Sequence, residues 1–318
     1  MYHQPVLLHE TITGLVNKLD GIYVDVTFGG GGHAREILNK LSENGRLLGF
    51  DQDKDAAKNA LQDSRFQFVQ SNFRNLKKFL QFYKAYPADG ILGDLGVSSH
   101  QFDEPARGFS YRFDEQLDMR MDRSKEITAA DIVNSYPAQK LAKLLFAFGE
   151  VQNAHKIASL IEKARQIAPI QTTVNLVEII TPVLPKGKEN KVLSQIFQAL
   201  RIEVNAEMEA LQSLLEQSVD ALNTGGRIAI ISYHSLEDRL VKNFFKTGNV
   251  EGKLHKDFYG NPLTPFKLIT KKAIIPTAEE IEQNPRARSA KLRIAEKLIQ
   301  STKIQSSKNE YRNANLKP

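Results

Sequence analysis

The chain has 318 residues, 41% hydrophobic and 25% charged, which places it among globular proteins and excludes a fibrous or wholly disordered chain. It contains no cysteine, so disulfides, thiolate metal sites and a cysteine nucleophile are excluded. The net charge of +6 is unevenly placed: residues 239–318 carry 17 basic and 7 acidic side chains, a net +10, against −4 for residues 1–238. That asymmetry points to a polyanionic partner such as nucleic acid.

The stretch Met1-Tyr2-His3-Gln4-Pro5 has neither a basic n-region nor an apolar h-region, and apolar runs such as Ile228-Ala229-Ile230-Ile231 are too short to span a bilayer. A cytoplasmic protein with no membrane partner is expected. In chain order, strand signals fall at 22–26, 46–50, 66–70 and 89–94. Helical spacing lies between them, at Ala34, Ile37, Leu38 and Leu41 and again at Leu76, Phe79, Leu80 and Tyr83. This alternation predicts an α/β protein with a parallel sheet.

From about 112 to 208 the strand signals stop. Thr128 with Asp131 forms a capping pair, and Pro137 suits a first helical turn. Leu141, Leu144, Leu145 and Phe148 form one apolar stripe, Ile157, Leu160, Ile161 and Ala164 another, and a single long helix is expected over 191–222. Strands resume at 227–232, 266–271 and 290–294, giving seven in all. The expected division is 1–111 and 209–318 for the sheet domain, with 112–208 as an inserted all-helical domain. About the last 18 residues are polar and aperiodic and are expected to be mobile.

The sharpest local signal is Asp25-Val26-Thr27-Phe28-Gly29-Gly30-Gly31-Gly32-His33, which follows a strand and opens a helix. Glycines there permit a tight turn and close approach of a ligand to the backbone, and a helix N-terminus offers N–H donors. Asp51 ends the next strand, where an acid binds ribose hydroxyls in nucleotide-binding α/β folds. No phosphate-binding lysine follows the glycines. Asp25 would repel a pyrophosphate and accept hydrogen bonds from an ammonium group, which favours S-adenosylmethionine over a dinucleotide. Phe73, after the third strand, is placed to meet an adenine ring, and Asp94 ends the fourth strand ahead of Leu95-Gly96-Val97-Ser98-Ser99-His100-Gln101. Asp51-Gln52-Asp53-Lys54-Asp55 opens like a calcium loop, but Ala56 and Gln62 replace its glycine and bidentate glutamate. The histidines show no paired metal spacing, so no metal is expected.

Long motifs carry a family resemblance: Asp89-Gly90-Ile91-Leu92-Gly93-Asp94-Leu95-Gly96-Val97-Ser98-Ser99, Arg107-Gly108-Phe109-Ser110, Leu117-Asp118-Met119-Arg120-Met121-Asp122, Phe197-Gln198-Ala199-Leu200-Arg201-Ile202, Ser235-Leu236-Glu237-Asp238-Arg239 and Asn284-Pro285-Arg286-Ala287-Arg288-Ser289-Ala290-Lys291-Leu292-Arg293. Through them the chain resembles the bacterial 16S ribosomal RNA cytosine-N(4) methyltransferase family, nearly end to end. The resemblance implies a Rossmann-like methyltransferase sheet with an inserted helical domain for RNA recognition. It implies transfer of a methyl group from S-adenosylmethionine, leaving S-adenosylhomocysteine, to a cytidine in the decoding region of 16S rRNA, within the small ribosomal subunit. By motif position it places cofactor contacts on Gly31, Gly32, His33, Asp51, Phe73, Asp94 and Gln101. The sequence departs from the family pattern at Glu150-Val151, where a Glu-Glu pair is usual, and at Lys191-Val192-Leu193-Ser194-Gln195-Ile196.

The chemistry agrees independently. Methylating cytosine at carbon 5 normally needs a cysteine thiolate, and none is present. Methylating the exocyclic amine is a direct displacement helped by a hydrogen-bond acceptor and by positioning. Asp94 is the candidate acceptor, with Ser98 at the base; holding the methionine part of the cofactor is the other role open to Asp94. The target base must be unpaired or flipped. Arg286, Arg288, Lys291 and Arg293 are candidate phosphate contacts, His234 a candidate base contact, and Phe109, Tyr111 and Tyr233 possible stacking partners. A non-catalytic ribosome-assembly factor that keeps the cofactor site, or a nicotinamide-dependent oxidoreductase, are the other classes open, and a monomer or homodimer is expected.

Overall fold

A computed structural model of the chain describes residues 5–299, excepting the side chains of Ser99 and His100. The expected mobile tail lies outside the described residues. The described residues divide into two compact units, one of residues 5–51, 55–96 and 210–299, the other of 52–54 and 97–209.

The first unit is built on β1 (Ile22–Asp25), β2 (Arg46–Asp51), β3 (Phe66–Gln70), β4 (Ala88–Asp94), β5 (Leu222–Ser232), β6 (Phe266–Leu268) and β7 (Lys291–Lys297), in the order β3-β2-β1-β4-β5-β7-β6. The first five run parallel, as the apolar runs predict. β7 is antiparallel to both β5 and β6, so the sheet is mixed rather than parallel throughout. Helices α1 (Leu8–Leu15), α2 (Gly32–Lys40) and α3 (Leu76–Phe82) belong to this unit.

Side chains alternate between the sheet's two faces, as a pleated strand requires. Val24, Leu48, Ile91, Ile228 and Ile230 pack on one side with Leu76 and Leu80. Tyr23, Leu47, Leu92, Ala229 and Ile231 pack on the other with Ile12, Leu15, Ile37 and Leu38. The strand order reverses direction between β1 and β4, and open α/β sheets bind ligands at the carboxyl ends of strands beside such a reversal.

The second unit holds α4 (Ser99–Asp103), α5 (Ala129–Ser135), α6 (Ala138–Gly149), α7 (Ala154–Arg165), α8 (Thr173–Ile180) and α9 (Glu189–Asn205). Thr128 and Asp131 cap α5 reciprocally, as their spacing predicts. The unit opens at Val97 rather than near 112. The reason is packing: Phe109 is buried in the helical core, and Val97, Phe102 and Tyr111 lie against it. Val151 is 1% exposed in the same core, a position where a second glutamate would bring an unpaired charge.

The chain then continues through α10 (Glu207–Ala221), α11 (Ser235–Thr247) and α12 (Ala278–Gln283). The single helix expected over 191–222 is broken at Ala206, which takes φ +50. Asn205 is buried there, accepting from the Met121 N–H at 2.8 Å and donating to the Met119 carbonyl at 2.8 Å. Arg201 then pairs across the break with Glu207 at 2.9 Å. Tertiary bonds at these two residues thus outweigh the helical propensity of the run. Among the described residues no helix is long and apolar enough to cross a membrane.

Candidate active site

Three carboxylates converge at the carboxyl ends of the central strands. Asp25 ends β1, Asp51 ends β2 and Asp94 ends β4. Asp25 is 2% exposed and accepts the Thr27 N–H at 3.1 Å. The Thr27 hydroxyl in turn accepts the Asp94 N–H at 2.6 Å, tying the glycine turn to the end of β4. Asp51 accepts the Gly29 N–H at 2.8 Å. Gly31 sits at φ +72 as the N-cap of α2, a conformation that favours glycine, and the Pro5 ring closes the space where a Gly32 side chain would stand.

Burial dominates the electrostatics. It pushes the Asp25 carboxyl up to about 6, opposed by His33 and the Thr27 hydrogen bond and reinforced by Asp94 and Asp51. It pushes Asp94 up to about 7, opposed by a hydrogen bond from Tyr233 and reinforced by Glu237. The Tyr233 hydroxyl donates to Asp94 Oδ1 at 2.8 Å, and burial and that carboxylate hold the phenol far above its ordinary value. Burial lowers His33, whose Nε2 lies 3.0 Å from the Val6 carbonyl and so carries the proton of a neutral ring. Its Nδ1 faces Asp94 Oδ2 at 3.8 Å.

The Asp94 side chain keeps 24% of its exposure, so a ligand can reach it. Acids that resist ionising together gain from a cation, which favours their charged form, and an anion would raise them further. The ammonium and sulfonium of S-adenosylmethionine fit that requirement; a dinucleotide pyrophosphate does not.

The other residues singled out from the sequence fall in several places. Phe73 follows β3 and lies half-buried against the first unit's core. Gln101 belongs to the second unit, where it is 4% exposed and donates to Asp53 Oδ2 at 2.8 Å. Ser98 and Gln101 bond reciprocally: the Ser98 N–H donates to the Gln101 amide oxygen at 3.1 Å, and the Gln101 N–H donates to the Ser98 hydroxyl at 3.2 Å. His234 caps α11 with its side chain 8% exposed, beside Glu237, which leaves little ring surface for a base. Of the four basic candidates, Arg293 pairs with Asp238 at 2.7 Å and Lys291 with the same carboxylate at 3.4 Å, whereas Arg286 and Arg288 are exposed.

Sequence reasoning missed three partners. Tyr233 entered only as a stacking ring, although its place directly after β5 sets its hydroxyl on Asp94. In the sequence Thr27 reads only as part of the turn. Arg107 was read only as motif, yet it is 1% exposed and pairs with Asp53 at 2.8 Å. No chain spacing announces that pair, and only the closing of the 97–111 segment creates it. Among the described residues no cluster of acidic and histidine side chains is arranged to hold a metal ion.

Known proteins identify the family. The profile of the MraW methylase family matches residues 1–298. The ribosomal RNA small subunit methyltransferase H of Bacteroides thetaiotaomicron is 57% identical, with 93% of this chain and 97% of that protein aligned. The protein of the same name from Flavobacterium johnsoniae is 57% identical over 93% of this chain and 98% of its own length. A solved rRNA methylase from Streptococcus thermophilus aligns over 92% of this chain and 93% of that one, at 13% identity and a TM-score of 0.40. With a family match over nearly its whole length and relatives this similar, the chain belongs to the MraW methylase family and is an S-adenosylmethionine-dependent methyltransferase.

Proposed function

We propose that this chain transfers the methyl group to the exocyclic N(4) amine of a cytidine in the decoding region of 16S rRNA, within the small ribosomal subunit in the cytoplasm. The observation that carries the reading is the reachable Asp94 carboxyl, oriented by Tyr233 beside Asp25 and the glycine turn. The names of the relatives, ribosomal RNA small subunit methyltransferases, support the substrate class. The absence of cysteine supports the amine over ring carbon 5.

S-adenosylmethionine supplies, when bound, an electrophilic methyl on a sulfonium. Gly31, Gly32 and His33 offer the backbone turn that receives it, Asp51 the acceptor for ribose, and Phe73 the face for adenine. Asp94 holds the cationic end, and Gln101 steadies the loop that follows β4. When that methyl is transferred to the amine, the proton the amine gives up would need an acceptor; Asp94 is the candidate, and Ser98 would orient the base. Arg286 and Arg288 neutralise phosphates. Lys291 and Arg293, paired with Asp238, lend their charge mainly to that carboxylate, and His234 chiefly shapes the start of α11. The helical unit recognises RNA.

Small subunits from a strain lacking the gene, mixed with this protein and methyl-labelled cofactor, should acquire label in 16S rRNA. Asp94→Asn separates the two roles of that carboxylate. Lost cofactor affinity assigns it to cation binding, and intact affinity with lost turnover assigns it to proton acceptance. Cofactor binding without any transfer to small subunits would sink the proposed substrate.

A further inference from the structure

The geometry points to a second RNA contact on the first unit, a stacking platform formed by Phe258 and Tyr259 at the tip of the hairpin between α11 and β6; it rests on the rRNA reading above. Phe258 is 97% exposed and Tyr259 81%. Their rings meet edge to face, 5.5 Å between centroids. Rings of this size held in water forgo the burial that usually repays an aromatic side chain, which marks them as contact residues.

The tip is built to hold them there. Asp257 Oδ1 accepts the N–H groups of Tyr259 at 2.9 Å and Asn261 at 2.8 Å, while Oδ2 accepts the Asn261 amide at 3.0 Å. The Asp257 N–H donates back to the Asn261 carbonyl at 2.9 Å, and the arms close through Leu263 N–H to the His255 carbonyl at 2.8 Å. Gly260 takes φ +86 to complete the turn. The aromatic pair is therefore presented on an ordered scaffold, and little ordering entropy remains to be lost on binding.

The charge around the tip selects the partner. The segment from the hairpin through β6, residues 249–272, contains five basic and two acidic side chains, and one of those acids, Asp257, is occupied in the turn. Lys253, Lys256 and Lys267 are exposed and have no carboxylate partner among the described residues. Stacking rings flanked by cations match unpaired RNA, where bases stack on aromatic faces and lysines follow the phosphates. Phe82 also meets a second ring edge to face, but that ring, Tyr83, is half-buried against the core, and Phe113 is followed by the acids Asp114 and Glu115.

The strand that follows the platform starts away from the chemistry. β6 starts at Phe266, opposite Lys297, on the side of the sheet where β5 passes Arg227; Asp94 pairs with Ile231, close to the carboxyl end of β5. Residues 227 to 231 alone span about 13 Å. The contact therefore docks a long RNA and takes no part in methyl transfer.

The test measures binding of a labelled 20-nucleotide oligoadenylate and of full-length 16S rRNA by anisotropy and filter retention, with methyl transfer to small subunits followed separately. Phe258→Ala with Tyr259→Ala should weaken binding of both RNAs on the order of tenfold, raise the KM for small subunits and leave kcat and cofactor affinity unchanged. Tyr259→Trp should retain wild-type affinity. Lys253→Gln with Lys256→Gln should flatten the salt slope by roughly 1.4. Unchanged RNA affinity in the double alanine variant would overturn the platform, as would conversion of a dimer to a monomer with RNA affinity intact. RNA binding lost in that variant, beside a wild type that transfers no methyl, would keep the platform and remove the proposed reaction instead.

Discussion

Replacing Tyr233 by phenylalanine isolates the electrostatics of the site, because it removes one hydroxyl and little else. That hydroxyl donates to Asp94 Oδ1 at 2.8 Å and is the interaction that opposes burial in setting the carboxyl at about 7. A hydrogen bond to an ionised group is worth about 1.5 kcal/mol at the lower end of its range, and one pKa unit corresponds to about 1.4 kcal/mol. Tyr233→Phe should therefore raise the Asp94 pKa by about one unit. A cation binds the ionised carboxylate, so cofactor affinity should climb as Asp94 deprotonates. With a midpoint near 7, affinity at pH 5.5 should be roughly 25-fold below that at pH 7.5 if the protonated form does not bind. In Tyr233→Phe the same rise should be displaced about one pH unit upward. Calorimetric titration with S-adenosylmethionine across this range, in two buffers of different ionisation enthalpy, reads both the affinity and the proton released. A wild-type affinity that stays flat with pH, or a midpoint that stays put or moves down in the variant, would refute the reasoning.

Asp25 and Asp94 also link stability to pH. Their folded pKa values, about 6 and about 7, lie above the unfolded carboxylate range, so the folded state binds more protons between them. Their contribution is present in full below pH ~4 and is lost as pH rises through 6 and 7. Asp94→Asn should consequently gain stability relative to wild type as pH rises from 5 to 8, read as the difference in urea midpoints; a constant difference would count against it. Arg107→Ala leaves Asp53 buried without its 2.8 Å partner and should cost about 3–5 kcal/mol, seen as faster hydrogen exchange in residues 97–209, with Arg107→Met plus Asp53→Leu recovering most of it. Ala206→Gly relieves a left-handed alanine at φ +50 and should stabilise by about 0.5–1 kcal/mol in equilibrium unfolding. Arg286→Gln with Arg288→Gln should weaken RNA binding and lower its salt dependence, whereas Lys291→Gln, already paired with Asp238, should change the slope less.

The strands were legible because β1, β2, β4 and the end of β5 are short apolar runs buried on both faces, while β3 and β7 alternate apolar with polar residues. The glycine turn and the acids at the ends of β1, β2 and β4 were legible for a related reason: a fixed strand-turn-helix geometry ties chain position to site position. What stayed hidden depends on contacts between distant residues. Nothing in the run around Ala206 signals a break, since the buried side chain of Asn205 reaching 119–121 makes it. Lys291 and Arg293 alternate outward along β7 as expected, but the carboxylate that engages them is on α11. Tyr233 reads as an ordinary aromatic until the parallel pairing of β4 with β5 puts its hydroxyl beside Asp94.

The most direct measurement is the identity of the methylated nucleoside. Small subunits from the strain lacking the gene are incubated with the protein and methyl-labelled S-adenosylmethionine, and the 16S rRNA is digested and resolved by mass spectrometry. Label in N(4)-methylcytidine is the expected result. Label in 5-methylcytidine, in another nucleoside, or in none would contradict direct transfer to the cytidine amine.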